Sequence, residues 1–296
     1  MGATLIDGKK LAADTRAEIA AGVAALKAEK GVTPGLAVIL VGENPASISY
    51  VTAKEKACQE AGMYSREIRL PAETPEEKLI ETVKALNADP AIHGILVQLP
   101  LPKGFSEKKV IDAIAPEKDV DGFTPINVGK MLIGDDCFLP CTPHGIIKLI
   151  EVTGMDISGK HAVVIGRSNI VGKPVAVLLA RKGAHANATV TLCHTGTPDV
   201  SVYTKTADIV VVAAGRPNTL MGDMLKPGAV VIDVGVNRVP DATKPKGYRL
   251  CGDADFESCA QVASAITPVP GGVGPMTIAM LMENTVKLAK LHTEKG

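Results

Sequence analysis

The feature that most constrains this chain is the recurrence of short Val/Ile-rich runs separated by longer amphipathic stretches. In the second half they are "HAVVIG" (161–166), "TVTLCH" (189–194), "DIVVVAA" (208–214) and "AVVIDVG" (229–235). Runs of this kind fit strands buried on both faces of a parallel sheet, with helices as the crossovers. "GKPVAVLLARKG" (172–183) supplies the first crossover helix. The first half alternates in the same way, with strands expected at "LAVILVG" (36–42), "SREIRL" (65–70) and "GILVQL" (94–99). Helical patterns cover 47–61, 74–87 and 106–114, the second opened by a capping-box-like Thr74-Pro75-Glu76-Glu77. The fold class is α/β, and 296 residues suit two domains at roughly 100–200 residues each.

The boundary falls in "DVDGFTPINVGKMLIGDDCFLPCTPHG", a loop-rich stretch with no strong strand. The expected division is an α/β domain over 1–120, rejoined by a C-terminal amphipathic helix over 277–296. Residues 121–144 form an interdomain connection, and 145–276 a Rossmann-like domain. The first thirty residues carry charges throughout, so an Ala-rich amphipathic helix is expected there rather than a secretory leader.

Composition narrows the partners. Lys+Arg and Asp+Glu balance at 32 each, with no basic stripe of the kind nucleic-acid binders use. No apolar run approaches the roughly 20 residues of a membrane span. The six cysteines are scattered. Cys137, Cys141 and His144 resemble half of a metal site, but no second ligand pair stands at zinc spacing, so no metal is expected. Free thiols fit a reducing, cytoplasmic setting.

"VVIGRSNIVGKPVAVLLA" follows a strand and opens a helix, where a dinucleotide pyrophosphate meets helix N-terminal amides. Gly166 holds the first place of a G-x-G-x-x-G motif, but Ser168 and Val171 occupy the other two. It is no Walker A loop either, because Pro174 follows Lys173. The next strand ends at His194 and Thr195, where an NAD-preferring site usually has an acid for the ribose 2′-hydroxyl. The missing carboxylate removes repulsion against a 2′-phosphate, and Arg167 is available to pair with one. NADP is therefore favoured over NAD. Cofactor contacts are expected from Gly166, Arg167, Ser168, Thr195 and Val236.

Four more features ask for an explanation. Tyr50 and Lys54 are one helical turn apart in "ISYVTAKEKACQEAG" (48–62), so their side chains are neighbours. Gln98 is a polar residue inside the buried-looking "HGILVQLPLP", and a buried amide needs a hydrogen-bond partner. Asp119 and Asp121 share a loop with Gly122, a setting equally suited to a turn cap. "TPVPGGVGPMT" (267–277) looks like a rigid loop that brings backbone close to a ligand before a helix opens at Thr277.

Along essentially its whole length the chain resembles the bifunctional methylenetetrahydrofolate dehydrogenase/methenyltetrahydrofolate cyclohydrolase family. The resemblance rests on "YVTAKEKAC" (50–58), "HGILVQLPLP" (93–102), "KDVDGF" (118–123), "PCTPHG" (140–145), "VVIGRSNIVGKP" (163–174), "VIDVGVN" (231–237) and "ITPVPGGVGPMT" (266–277). It implies a folate cleft between the two domains, lined by Tyr50 and Lys54. Gln98 would bond the lysine or the substrate, with Leu99 beside it, and Asp121 would bind the pterin N–H groups. These four polar residues are the expected catalytic set. Pro270, Gly271, Gly272, Val273, Gly274 and Pro275 would line the same cleft. Hydride transfer to NADP can run mainly on positioning, whereas ring opening moves protons and needs an acid–base group. Lys54, with a pKa lowered by partial burial beside a cationic substrate, is expected to be that group. The family also implies a homodimer through the cofactor domain, to which a hairpin-like excursion over 236–253 could contribute.

Members often carry a basic residue where this chain has Gly196, so one 2′-phosphate contact is absent here. The rival reading is another two-domain NADP-dependent dehydrogenase acting on a hydroxy acid or a shikimate-like substrate. It has no evident use for Gln98 and "PGGVGP" around a large aromatic ligand.

Overall fold

Each expected aliphatic run forms a strand, and the amphipathic stretches between them form helices. The computed structural model describes residues 2–245 and 247–294. Met1, Lys246, Lys295 and Gly296, which fall at the expected domain ends and inside the expected hairpin, lie outside the described residues. The chain opens with β1 (Thr4–Leu5), α1 (Gly8–Lys30), β2 (Gly35–Val41), α2 (Pro45–Glu60), β3 (Tyr64–Leu70), α3 (Glu76–Ala88), β4 (Gly94–Val97) and α4 (Glu107–Asp112). Next come α5 (Pro125–Ile133), α6 (Cys141–Glu151), β5 (His161–Ile165), α7 (Gly172–Ala180), β6 (Thr189–Cys193), α8 (Ser201–Thr204) and β7 (Ile209–Val212). The remainder is β8 (Val230–Asp233), β9 (Asn237–Pro240), β10 (Tyr248–Cys251), α9 (Phe256–Val262), β11 (Ala265–Ile266) and α10 (Val273–Glu294).

Two compact units result. One comprises Ala13–Cys141 and Ile278–Gly296, the other Met1–Ala12 and Thr142–Thr277. In the first, β2 lies between β3 and β4 in a parallel sheet and is buried throughout. Leu79, Val83 and Leu86 of α3 recur at helical spacing and pack on Ile39, Ile95 and Val97. An isolated parallel bridge from Ile95 to Asp119 runs the chain beside β4, bringing residue 121 alongside the end of that strand.

The second unit holds a six-stranded sheet in the order β1-β11-β8-β7-β5-β6, all parallel. The order reverses at β5, with β6 on one side and β7 on the other. In open α/β sheets that reversal marks where ligands bind at the strands' carboxyl ends. β9 and β10 form a separate antiparallel hairpin, with the Arg238 guanidinium 5.0 Å from the centre of the Tyr248 ring.

Four expectations need correction. Residues 1–12 belong with the six-stranded unit, because Thr4 and Leu5 pair with Ala265 and Ile266. The stretch 121–141 is part of the first unit rather than a connection, and it contains α5. Thr124 caps that helix by accepting from Asn127 N–H, Pro125 occupies its first turn and Gly134 ends it in the left-handed conformation. At α3 the cap is Pro75 rather than Thr74, and no side chain closes a capping box. Finally, α10 opens at Val273, four residues before Thr277.

Candidate active site

In the first unit, Asn44 caps α2 by accepting from Ala46 and Ser47 N–H, and the inner stripe of that helix reads Ser47, Val51, Lys54, Cys58. Lys54 therefore faces inward, only 7% exposed, whereas Tyr50 stands 40% exposed one turn earlier. Lys54 Nζ donates to Gln98 Oε1 at 3.0 Å, and Gln98 Nε2 donates to Leu99 O at 2.7 Å. The partner that Gln98 required is thus the lysine. The Leu99–Pro100 bond just beyond is cis.

Asp121 completes the group. Burial is the largest influence on Lys54 and lowers its pKa, while the negative charge of Asp121 and the Cys141 and Cys58 sulfurs pull it back up. For Asp121, burial raises the pKa to about 6 against the opposing pull of Lys54. An amine made easier to deprotonate beside a carboxyl made easier to protonate is a pair suited to moving protons near neutrality.

Asp119 does different work. Its carboxylate accepts from Phe123 N–H, Thr124 N–H, the Thr124 hydroxyl and Asn127 Nδ2, so it is the turn's cap and leaves Asp121 for the site. Gly122, at φ +67°, sits where a Cβ would come within 2.3 Å of Phe138 O. Cys141, noted in the sequence only as half of an incomplete metal site, is a neighbour of the Lys54–Asp121 group. It is buried, donates to Val120 O at 3.4 Å, and burial pushes its thiol well above the usual range. Asn284 of α10 donates to both Val120 O and Leu139 O, tying the two loops that carry Asp121 and Cys141.

In the second unit, β5 is followed at once by Gly166, φ +123°, where a Cβ would lie 2.2 Å from Ala213 O. A Cβ on Gly172 would lie 2.0 Å from Gly166 O, so both glycines are fixed by close backbone approach. Ser168 Oγ accepts from Val171 and Gly172 N–H and so satisfies the start of α7. Gly166 N–H donates to Cys193 O at 2.9 Å, setting the turn beside the end of β6. Arg167 and Thr195 are exposed near those neighbouring ends, and Val236 is 50% exposed after β8. The turn geometry suits a dinucleotide loop. Gly271, Gly272, Val273, Gly274 and Pro275 belong to this unit, as does Pro270, which follows a cis bond from Val269. Gly272 is explained first by packing, since a Cβ there would meet Thr267 Cβ at 2.7 Å and Pro268 O at 2.8 Å.

Two family models match in succession: the tetrahydrofolate dehydrogenase/cyclohydrolase catalytic domain over residues 6–121, and the NAD(P)-binding domain of the same family over 140–293. The chain belongs to this family. It is a bifunctional enzyme, dehydrogenase and cyclohydrolase. The bifunctional protein FolD of Moorella thermoacetica is 58% identical over 290 residues, covering 98% of this chain and all of that protein. The FolD structure from Campylobacter jejuni superposes with a TM-score of 0.91 at 49% identity, covering 97% of this chain and 99% of that one. The Trypanosoma brucei enzyme, solved with NADP cofactor and an inhibitor, gives 0.94 at 42% identity, covering 98% of each chain. Among the described residues no helix is long and apolar enough to cross a membrane, and no cluster of three or more His, Cys, Asp or Glu could hold a metal ion.

Proposed function

We propose that the chain oxidises 5,10-methylenetetrahydrofolate with NADP and then opens the methenyl product to 10-formyltetrahydrofolate, with Lys54 as the acid–base group of the second step. The observation that carries this reading is the inward-facing, hydrogen-bonded amine of Lys54, buried at the end of a strand with Asp121 beside it. NADP, when bound, accepts the hydride. The carbon it leaves lies between two nitrogens whose lone pairs stabilise the cation, so the chain's residues need only hold it in place. Ring opening adds water to that carbon and passes a proton to the departing nitrogen, with one proton released overall. Lys54 as free amine takes the proton from water, and as ammonium returns one to the nitrogen. Gln98 orients the amine, Asp121 holds the pterin N–H groups, and Tyr50 lies against the p-aminobenzoyl ring.

Lys54→Met is the decisive variant. It is expected to lose ring opening by about 10²-fold or more, the usual worth of a positioned acid–base group, while keeping most hydride transfer. Unimpaired ring opening would remove Lys54 from the mechanism.

NADP over NAD is supported by the Gly166 turn, by exposed Arg167, and by Thr195 where an acid would select NAD. Initial rates at matched concentrations test it, and a tenfold preference for NAD would overturn it. The reading extends to a cytoplasmic homodimer joined through the NADP-binding domain, which light scattering on the purified protein would check.

A further inference from the structure

Two carboxylates buried in the six-stranded unit take no part in the mechanism above. Asp253 is fully buried and Asp233 is 4% exposed, and among the described residues neither makes an ion pair. Buried charge without a cation is costly unless hydrogen bonds satisfy it. Here six N–H donors do. Asp253 Oδ2 accepts from Ala214 N–H at 2.6 Å and Gly215 N–H at 2.8 Å, and its Oδ1 accepts from Asn237 Nδ2 at 2.8 Å. Asp233 Oδ1 accepts from Gly235 N–H and Asp253 N–H, and its Oδ2 from Ala254 N–H.

The fit is reciprocal. A Cβ on Gly235 would lie 2.1 Å from the Asp253 carboxylate, and one on Gly252 would lie 1.7 Å from that of Asp233. Each carboxylate therefore fills the space that a glycine in the other's loop leaves open.

What the pair ties together gives it a role. Ala214 and Gly215 follow β7, while Gly235 and Asn237 follow β8, all at the carboxyl edge of the parallel sheet. Ala213, the next residue back, bonds to Ile165 O and packs its carbonyl against Gly166 of the dinucleotide turn. Asn237 adjoins the exposed Val236. In open α/β sheets a bound dinucleotide lies along this carboxyl edge with its pyrophosphate at the glycine turn. The loops after β7 and β8 are therefore placed to meet the part of it beyond that turn.

We propose that Asp253, supported by Asp233 and Asn237, is a positioning residue for hydride transfer: it fixes the β7 and β8 loops that hold the nicotinamide half of NADP. This rests on the reading that the unit binds NADP. The chain's second activity, which uses no dinucleotide, is the internal control.

Asp253→Asn replaces one acceptor oxygen by an NH2 group, which must then face a donor, either the Ala214 and Gly215 N–H groups or the Asn237 amide. Asn237→Ala is the milder variant, releasing one restraint and leaving the carboxylate in place. With each, the dehydrogenase KM for NADP and kcat are measured alongside the rate of methenyltetrahydrofolate hydrolysis. Loss of loop position is expected to cost hydride-transfer kcat/KM(NADP) about ten- to a hundred-fold for Asp253→Asn. A smaller loss in the same sense is expected for Asn237→Ala, with hydrolysis within about twofold of wild type in both. Should Asp253→Asn fail to fold, Asn237→Ala decides. Unchanged NADP kinetics, or both activities falling in proportion, would overturn the proposal. A wild-type enzyme without NADP turnover would instead overturn the underlying reading.

Discussion

Lys54 Nζ donates to Gln98 Oε1 at 3.0 Å while the Gln98 amide nitrogen is committed to Leu99 O at 2.7 Å. The second bond fixes the orientation of the first, because with Nε2 engaged only the oxygen can face the amine. A neutral acceptor also leaves Lys54 free to work in either protonation state, since both the ammonium and the free amine retain hydrogens to donate. Gln98→Glu tests this directly. It puts a negative charge at the amine and favours the ammonium form. Ring opening at pH 7 is expected to fall by about tenfold or more, with the alkaline-rising limb of the pH–rate profile moving up by about 1–2 in pH. A profile identical to wild type would show that the lysine's proton is not the one that matters.

The strands were legible because burial on both faces writes itself as consecutive aliphatics, as in β2 and β7, both buried at every position. β1 and β11 were not, since two residues carry no period and their pairing joins positions some 260 apart in the chain. The helix α5 was hidden by the prolines and glycines around it, although Thr124, Pro125 and Gly134 are start and stop signals for a helix. In the candidate site, Tyr50, Lys54 and Gln98 stood out as polar residues in apolar or helical settings. Cys141 stood out only as half of an incomplete metal site, because its place beside Lys54 and Asp121 comes from a loop that is distant in sequence from α2. The Asp233–Asp253 pair was invisible, being defined by loops from two strands closing on each other's glycines.

His93 makes the first unit sensitive to acid. It is 6% exposed, its Nδ1 accepts from Gly35 N–H at 3.0 Å, and its ring centre lies 5.5 Å from that of His292. Burial, then His292 and Lys118, lower its pKa from 6.5 to about 4. Protonation at Nδ1 would also abolish the bond from Gly35. Between those two values the unfolded chain binds a proton that the folded chain does not, so stability rises with pH across that window. The contribution is fully present above about 6.5 and lost as pH falls toward 4, and it amounts to roughly 3 kcal/mol at most. Urea unfolding at pH 7 and pH 4.5 should show this loss in the wild type and a flatter dependence in His93→Gln. Parallel pH dependences would remove His93 as the cause.

Gly272 and Gly274 separate packing from ligand approach within one loop. A Cβ at Gly272 collides with Thr267 and Pro268, and a Cβ at the neighbouring Gly8 would lie 1.9 Å from Gly272 O. Gly272→Ala is therefore expected to cost about 1–3 kcal/mol and lower Tm whether or not any ligand touches the loop. At Gly274 a Cβ meets nothing within 4 Å, and the residue sits in the first turn of α10, where alanine is favoured over glycine by up to about 1 kcal/mol. No collision within the folded chain accounts for glycine there, so the proposed approach of substrate to this loop can be tested at Gly274 apart from packing. Gly274→Ala should hold or raise Tm while raising the KM for methylenetetrahydrofolate several-fold. A variant with both Tm and KM unchanged would remove Gly274 from the proposed substrate contacts.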